Sequence, residues 1–185
     1  MSSSPIPSGC DAKGDIVSLP PADQPVAQCT RAKRLLIPVD PSERSRWGIR
    51  YAMHLQRSGK PVQVALLFVS EPVTAPQVLR FRTQVEIARF QAECGAHILH
   101  DAAQPLAAAG VACQEIYREG DIVQQIGDVA EQLGCDEIVL PLPHARIAKL
   151  LSRDVVREVI KRAKGVPVVT TDAEGVAEKA EDNWL

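Results

Sequence analysis

The side chains with the most chemistry to offer collect between His144 and Lys164. Seven cations stand there, Arg146, Lys149, Arg153, Arg157, Lys161, Arg162 and Lys164, against two carboxylates, Asp154 and Glu158. Such a cluster can hold an oxyanion through charge-assisted hydrogen bonds, with Arg146, Lys149 and Arg153 nearest the loop that precedes the helix. The plainer reading, and the expected one, is a solvated helix face whose cations suit the negative end of the helix dipole. Arg153–Arg157 and Arg157–Lys161 repeat like charge at a spacing of four, mildly unfavourable on a helix, so an outside anion or partner would relieve them.

A second group comprises Cys94, His97, His100 and Asp101. His97 and Asp101 are four apart and Cys94 and His97 three apart, so either pair could begin a metal site. The other ligands would have to come from elsewhere, and surface residues with a packed thiol are expected instead of a metal. No Ser/His/Asp or Cys/His set stands in a motif that would support nucleophilic catalysis. Glu119 and Asp121 read as turn residues before they read as an acid–base pair. No catalytic residue emerges, and the chain is not expected to be an enzyme.

The elements that must position these groups alternate strictly. Leu35–Val39 is a continuous apolar run ending in Asp40, as in a strand buried on both faces. A helix follows from Ser42 or Glu43 to about Ser58, with Ile49, Ala52, Met53 and Leu55 inward, stopped by Gly59-Lys60-Pro61. Val62–Val69 is the second strand. A long helix from about Leu79 to Ala109 carries Val85, Ala88, Ala92, Gly95, Leu99, Ala102 and Leu106 as a narrow inward stripe. Val111–Tyr117 is the third strand. Asp121 then caps a helix whose apolar face is Ile122, Ile126, Val129, Ala130 and Leu133.

Ile138–Leu140 and Val166–Thr170 are the last two strands. Between them lie the loop Pro141–Ser152 and a helix with Val155, Val156, Val159, Ile160 and Ala163 on one face, closed by Gly165 and Pro167. Five strands and four helices in this order predict an α/β three-layer sandwich. Its sheet is five-stranded and mostly parallel, Rossmann-like, with helices on both faces. Ligands of such sheets sit at the carboxyl ends of the strands.

Composition limits the rest. The 185 residues are 45% apolar but only 4% aromatic, so the core must be aliphatic. The 21 basic and 23 acidic side chains leave a net charge of −2, which gives no reason to expect nucleic acid or a membrane surface as partner. No apolar run approaches the ~20 residues of a membrane helix. Residues 1–32, broken by Pro5, Pro7, Pro20, Pro21 and Pro25, read as a disordered leader, 33–172 as the domain, and 173–185 as a frayed acidic tail. The start lacks a secretory signal, and five cysteines without repeated spacing read as free thiols in a reducing cytoplasm. Cys113 and Cys135, on or beside strands, are expected to be buried and inert.

Taken together, these residues resemble the universal stress protein family. Arg34–Glu43, RLLIPVDPSE, looks like that family's first strand and turn. The position of Val62–Pro72, the long second helix, Glu119-Gly120-Asp121 and the closing Gly-Val-Pro-Val-Val from Gly165 also agree. The resemblance covers about Arg34 to Thr171 and implies the adenine nucleotide alpha hydrolase-like fold. In nucleotide-binding members a glycine follows the fourth strand, a second comes three residues on, and a third ten residues later precedes Ser or Thr.

Aligned on the closing strand, those places hold Pro141, His144, Asp154 and Val155. Proline has no amide hydrogen to give a phosphate, and histidine adds bulk where bare backbone is needed. Asp154 sets a carboxylate against phosphate oxygens, a repulsion of about 1–4 kcal/mol at surface-like dielectric. A degenerate ATP-binding motif is therefore expected, without an ATP or AMP cofactor.

The resemblance assigns a residual cleft to Pro38, Asp40, Val69, Leu140, His144, Arg146, Lys149 and Arg153, with Asp40 facing the adenine end in binding members. A structural turn role for Asp40 is the favoured alternative. The expected function is a non-enzymatic, cytoplasmic stress-response or regulatory protein. It would act as a homodimer through an open edge strand at Val166, Val168, Val169 and Thr170. The alternative is a sensor of a small anion or adenine nucleotide using Asp40 and the basic loop Pro141–Arg153.

Overall fold

The computed structural model describes residues 31–72, 83–142, 153–163 and 165–179. Its elements are β1 (Lys33–Pro38), a 3-10 turn (Glu43–Ser45), α1 (Arg46–Arg57), β2 (Val62–Ser70), α2 (Gln84–Ala108) and β3 (Ala112–Glu119). They continue with α3 (Ile122–Leu133), β4 (Glu137–Pro141), α4 (Arg153–Arg162), β5 (Val168–Thr171) and β6 (Ala177–Lys179). The sheet order is β3-β2-β1-β4-β5-β6. The first five strands run parallel and β6 returns antiparallel to β5.

The continuous apolar runs are central strands. Leu35, Leu36, Ile37, Leu66 and Leu67 are at most 1% exposed, because alternate residues face opposite helical layers. Leu35, Ile37, Leu66 and Phe68 meet Ile49 and Ala52 of α1 and Leu99, Ala102 and Leu106 of α2. On the other face Leu36, Leu67, Ile138 and Leu140 meet Ile126 and Val129 of α3 and Val156 and Val159 of α4. Each such aliphatic side chain contributes about 1.5–3 kcal/mol by leaving water. Among the described residues no helix is long and apolar enough to cross a membrane.

Local signals explain the boundaries. The Asp121 carboxylate accepts from Gln124 N at 2.8 Å, as its N-cap position requires, and Gly134 ends α3 in the left-handed conformation. α2 starts at a capping box: Thr83 Oγ1 accepts from Glu86 N, and Glu86 Oε2 accepts from Thr83 N. Val85, expected inward, is 77% exposed, because the helix buries residues only from Gly95 onward.

The C-terminal edge differs from expectation. Of the expected open edge Val166, Val168, Val169 and Thr170, the last two are covered, since β6 pairs along β5 with Val169 opposite Lys179, Thr170 opposite Glu178 and Thr171 opposite Ala177. The reason lies in the turn between the strands. Asp172 Oδ1 accepts from Glu174 N and Val176 N, Asp172 N donates to Val176 O, and Gly175 N donates to Asp172 O. Residues 173–179, read as frayed acidic tail, therefore form a turn with Asp172 and a sixth strand. The leader lies almost wholly outside the described residues.

Candidate functional site

The sheet reverses its winding between β1 and β4. β1 continues to β2 and β3 on one side, β4 to β5 and β6 on the other. The β1–β4 ladder holds only the pairs Leu35–Glu137 and Leu36–Ile138, near the amino ends of the strands. Toward their carboxyl ends no further pairs join the two strands, and this is the switch point, the crevice at which open α/β sheets take ligands.

One rim is built by the end of β1. Pro38 is buried in register with Leu67, and Val39 N donates to Leu67 O at 2.8 Å. Asp40 follows, 7% exposed. Its Oδ1 accepts from Ser42 N at 2.9 Å and from Ser42 Oγ at 2.5 Å. Its carbonyl accepts from Ser45 Oγ at 2.9 Å. A short acid bonding the backbone two residues on is the chemistry of an Asx turn, so Asp40 shapes the entry to α1.

The other rim is the end of β4. Pro141 offers no N–H, and Leu142 N donates to Thr171 O at 2.8 Å. Thr171, fully buried, donates from Oγ1 to Leu140 O at 3.3 Å. Arg44 bridges the rims: its Nη2 donates to Leu142 O, and its guanidinium carbon lies 5.1 Å from the Trp47 ring centroid. Arg44 Nε is buried without a partner.

Of the residues expected at the cleft, the structure brings Pro38 and Asp40 to the crevice. Val69 and Leu140 fall in the core under α3 and α4, at 4% and 0% exposure. Arg153 is the first residue of α4, while His144, Arg146 and Lys149 lie outside the described residues. The later cations of α4 have internal partners. Lys161 Nζ is 3.2 Å from Glu158 Oε1, and Arg162 Nη1 is 4.0 Å from the α3 cap Asp121. The residues missed by sequence reading are Ser42, Arg44, Trp47 and Leu142. Ser42 could have been found as the second residue after an aspartate at a strand end. A main-chain carbonyl as the target of Arg44 leaves no trace in sequence.

The remaining candidates disperse. His97 Nε2 meets Asp101 Oδ2 at 3.6 Å on the surface of α2, and His100 contacts Gln104. Among the described residues no three His, Cys, Asp or Glu side chains converge as a metal site. Burial and the charge of Glu115 push the Cys113 thiol up to about 11, and burial raises Cys135. A cavity of about 320 Å³, lined in part by Arg34, Gln63, Cys113 and Leu133, lies toward the amino ends of β2 and β3, away from the crevice.

A parallel sheet wound in both directions, covered by helices on both faces and open at its switch point, defines an α/β protein of the doubly wound class. Residues 31–171 match the model of the Universal stress protein family, and the chain belongs to that family. Three solved structures share the fold. Universal stress protein UspA from Lactobacillus plantarum has a TM-score of 0.61 at 18% identity, over 76% of this chain and 98% of that one. A universal stress protein family protein from Arabidopsis thaliana with AMP bound has a TM-score of 0.53 at 16% identity, over 76% and 91%. A universal stress protein in complex with cAMP has a TM-score of 0.54 at 19% identity, over 77% and 98%. A comparison with curated proteins found no match.

Proposed function

We propose that this chain is a non-enzymatic stress-response regulator of the cytoplasm whose switch-point crevice does not serve as a nucleotide site. The observation that carries this reading is the state of the backbone where β4 ends. A phosphate at a strand-to-helix loop is held by free N–H groups. Pro141 has none, the N–H of Leu142 is engaged by Thr171, and the Leu142 carbonyl is turned to Arg44. Asp40, the residue that would meet the adenine end by resemblance, is engaged by Ser42. The residues present do not fit an adenine nucleotide held in the family's manner, and no reaction step is assigned to one.

Thermal-shift and calorimetric titration with ATP, AMP, cAMP and sulfate tests this. No saturable change is expected, and no phosphate release from ATP above a buffer control. A saturable response to AMP or ATP overturns the reading.

A second reading has support from a specific observation. Arg44 sets a guanidinium between the two rims, and related structures were solved with AMP and with cAMP. A small anion or adenine nucleotide sensed through Asp40 and the loop Pro141–Arg153 would use that charge. It requires a saturable shift that Asp40→Ala abolishes.

A further inference from the structure

A second concavity lies at the opposite end of the sheet from the crevice. Its floor is the face of β2 and β3 that looks toward α3. Gln63 and Ala65 stand there in register with Ala112 and Gln114, on alternate positions of the two strands. The next rung on that face, Leu67 with Ile116, is buried in the core with Ile126 and Val129 of α3. Alanine replaces such bulk at positions 65 and 112. A cavity of about 320 Å³ is lined there, with Arg34 and Leu133 as further walls. That volume is at the small end of the range for ligand sites.

Arg34 gives the cavity its chemistry. The side chain is partly buried, and its Nη1 donates to Leu133 O at the end of α3. A guanidinium has five N–H donors, so most of them remain uncommitted. None of the ion pairs among the described residues includes Arg34. Asp136 accepts instead from the main-chain N–H of Arg34, at 2.8 Å. A partly buried cation without a counter-ion carries a desolvation cost that an incoming anion offsets. Among the residues lining the cavity Arg34 alone is charged, so the site matches a single negative charge and not a dianionic phosphate. A planar carboxylate meets two guanidinium N–H groups at once. Ala65 and Leu133 add apolar contact, and the exposed amides of Gln63 and Gln114 add hydrogen-bonding groups beside it. We propose that this cavity binds a small organic monocarboxylate, its anion on the uncommitted N–H groups of Arg34 and its apolar body over Ala65 and Ala112. The site is separate from the switch-point crevice and does not depend on whether that crevice takes a nucleotide.

The test uses the full chain and two-dimensional proton–nitrogen NMR. The probe is sodium benzoate, with benzamide as a neutral molecule of the same shape and sodium chloride at equal ionic strength as the salt control. Benzoate should give saturable shifts of the Ala65, Ala112, Gln114 and Leu133 amides, with a dissociation constant on the order of 1 mM. Benzamide should bind at least ~10-fold more weakly, because it cannot form the charge-assisted pair. Two variants separate the anchor from the space. Arg34→Gln removes the charge, and Ala112→Leu fills the floor from an exposed position outside the core. Each should weaken benzoate by about 10-fold or more. Melting curves confirm that each variant is folded, and Ala112→Leu decides alone if Arg34→Gln is not. Absence of saturable shifts with benzoate overturns the proposal. So do equal affinity for benzamide, shifts confined to the crevice around Asp40, and benzoate binding unchanged in the folded variants.

Discussion

Arg44 Nη2 donates to the carbonyl of Leu142 across 98 positions of sequence and joins the two rims of the switch-point crevice. The same guanidinium stacks over Trp47, so one side chain ties the turn after β1, the first helix and the exit of β4 together. Arg44→Ala removes a charge-assisted hydrogen bond and a cation–π contact. A loss of about 1–3 kcal/mol is expected, reduced because the buried Nε loses its unmet need for a partner. Arg44→Met keeps the apolar stem and should recover only part of it. Urea denaturation reads both, and an unchanged midpoint in Arg44→Ala would remove the bridge from the stability of the fold.

Gly95 is a point of close approach between α2 and the sheet. A Cβ there would lie 2.8 Å from Tyr117 Cδ2 and 2.9 Å from Phe68 Cδ1, and those two rings stack at 6.2 Å. Gly95→Val should cost about 1–3 kcal/mol by forcing the rings apart. Gly95→Ala should cost less, since better helix propensity returns up to ~1 kcal/mol. Near-ultraviolet circular dichroism should report the displaced tyrosine.

Alkaline pH should weaken the fold in a defined window. Burial, then the charge of Glu137 and a hydrogen bond to it, push the Tyr51 hydroxyl up to about 12. An unfolded tyrosine ionises near 10. Below pH ~10 both states keep the proton and the contribution is fully present. Above it the unfolded chain holds fewer protons, so stability falls as pH rises toward about 12. Tyr51→Phe should flatten this part of a melting-temperature profile and leave neutral pH nearly unaffected apart from the lost hydrogen bond to Glu137. A profile equally steep in the variant would count against the assignment.

Cys113 should be a slow thiol. With its proton held until about 11, little thiolate exists near neutral pH. Alkylation by iodoacetamide at pH 8, followed by peptide mass analysis, should be roughly 10–100-fold slower than in urea. Fast labelling of Cys113 in the folded chain would contradict the burial described.

Much of this fold can be read from the chain because the signals are local and agree with one another. Leu35–Val39 and Val62–Val69 are apolar without alternation, and both lie inside the sheet with helices above and below. Asp121 caps α3 and Gly165 follows α4 as the residue types demand. Val85 misled because helical spacing gives the direction of a side chain and not how far the sheet extends beneath it. The turn Asp172–Val176 was hidden by its composition: Asp172 and Glu174 read as acidic tail, although the Asp172 carboxylate bonds backbone and Gly175 fits against α1. At the crevice, Asp40 was legible as a turn residue. The reach of Arg44 to a distant carbonyl depends on the three-dimensional fold alone.

β3 forms the far border of the sheet and shows Gln114, Glu115, Arg118 and Glu119 to solvent. Charged side chains along such a border discourage strand addition. The two borders of the sheet are thus closed by different means: β3 carries charge, and β5 carries a strand of its own chain.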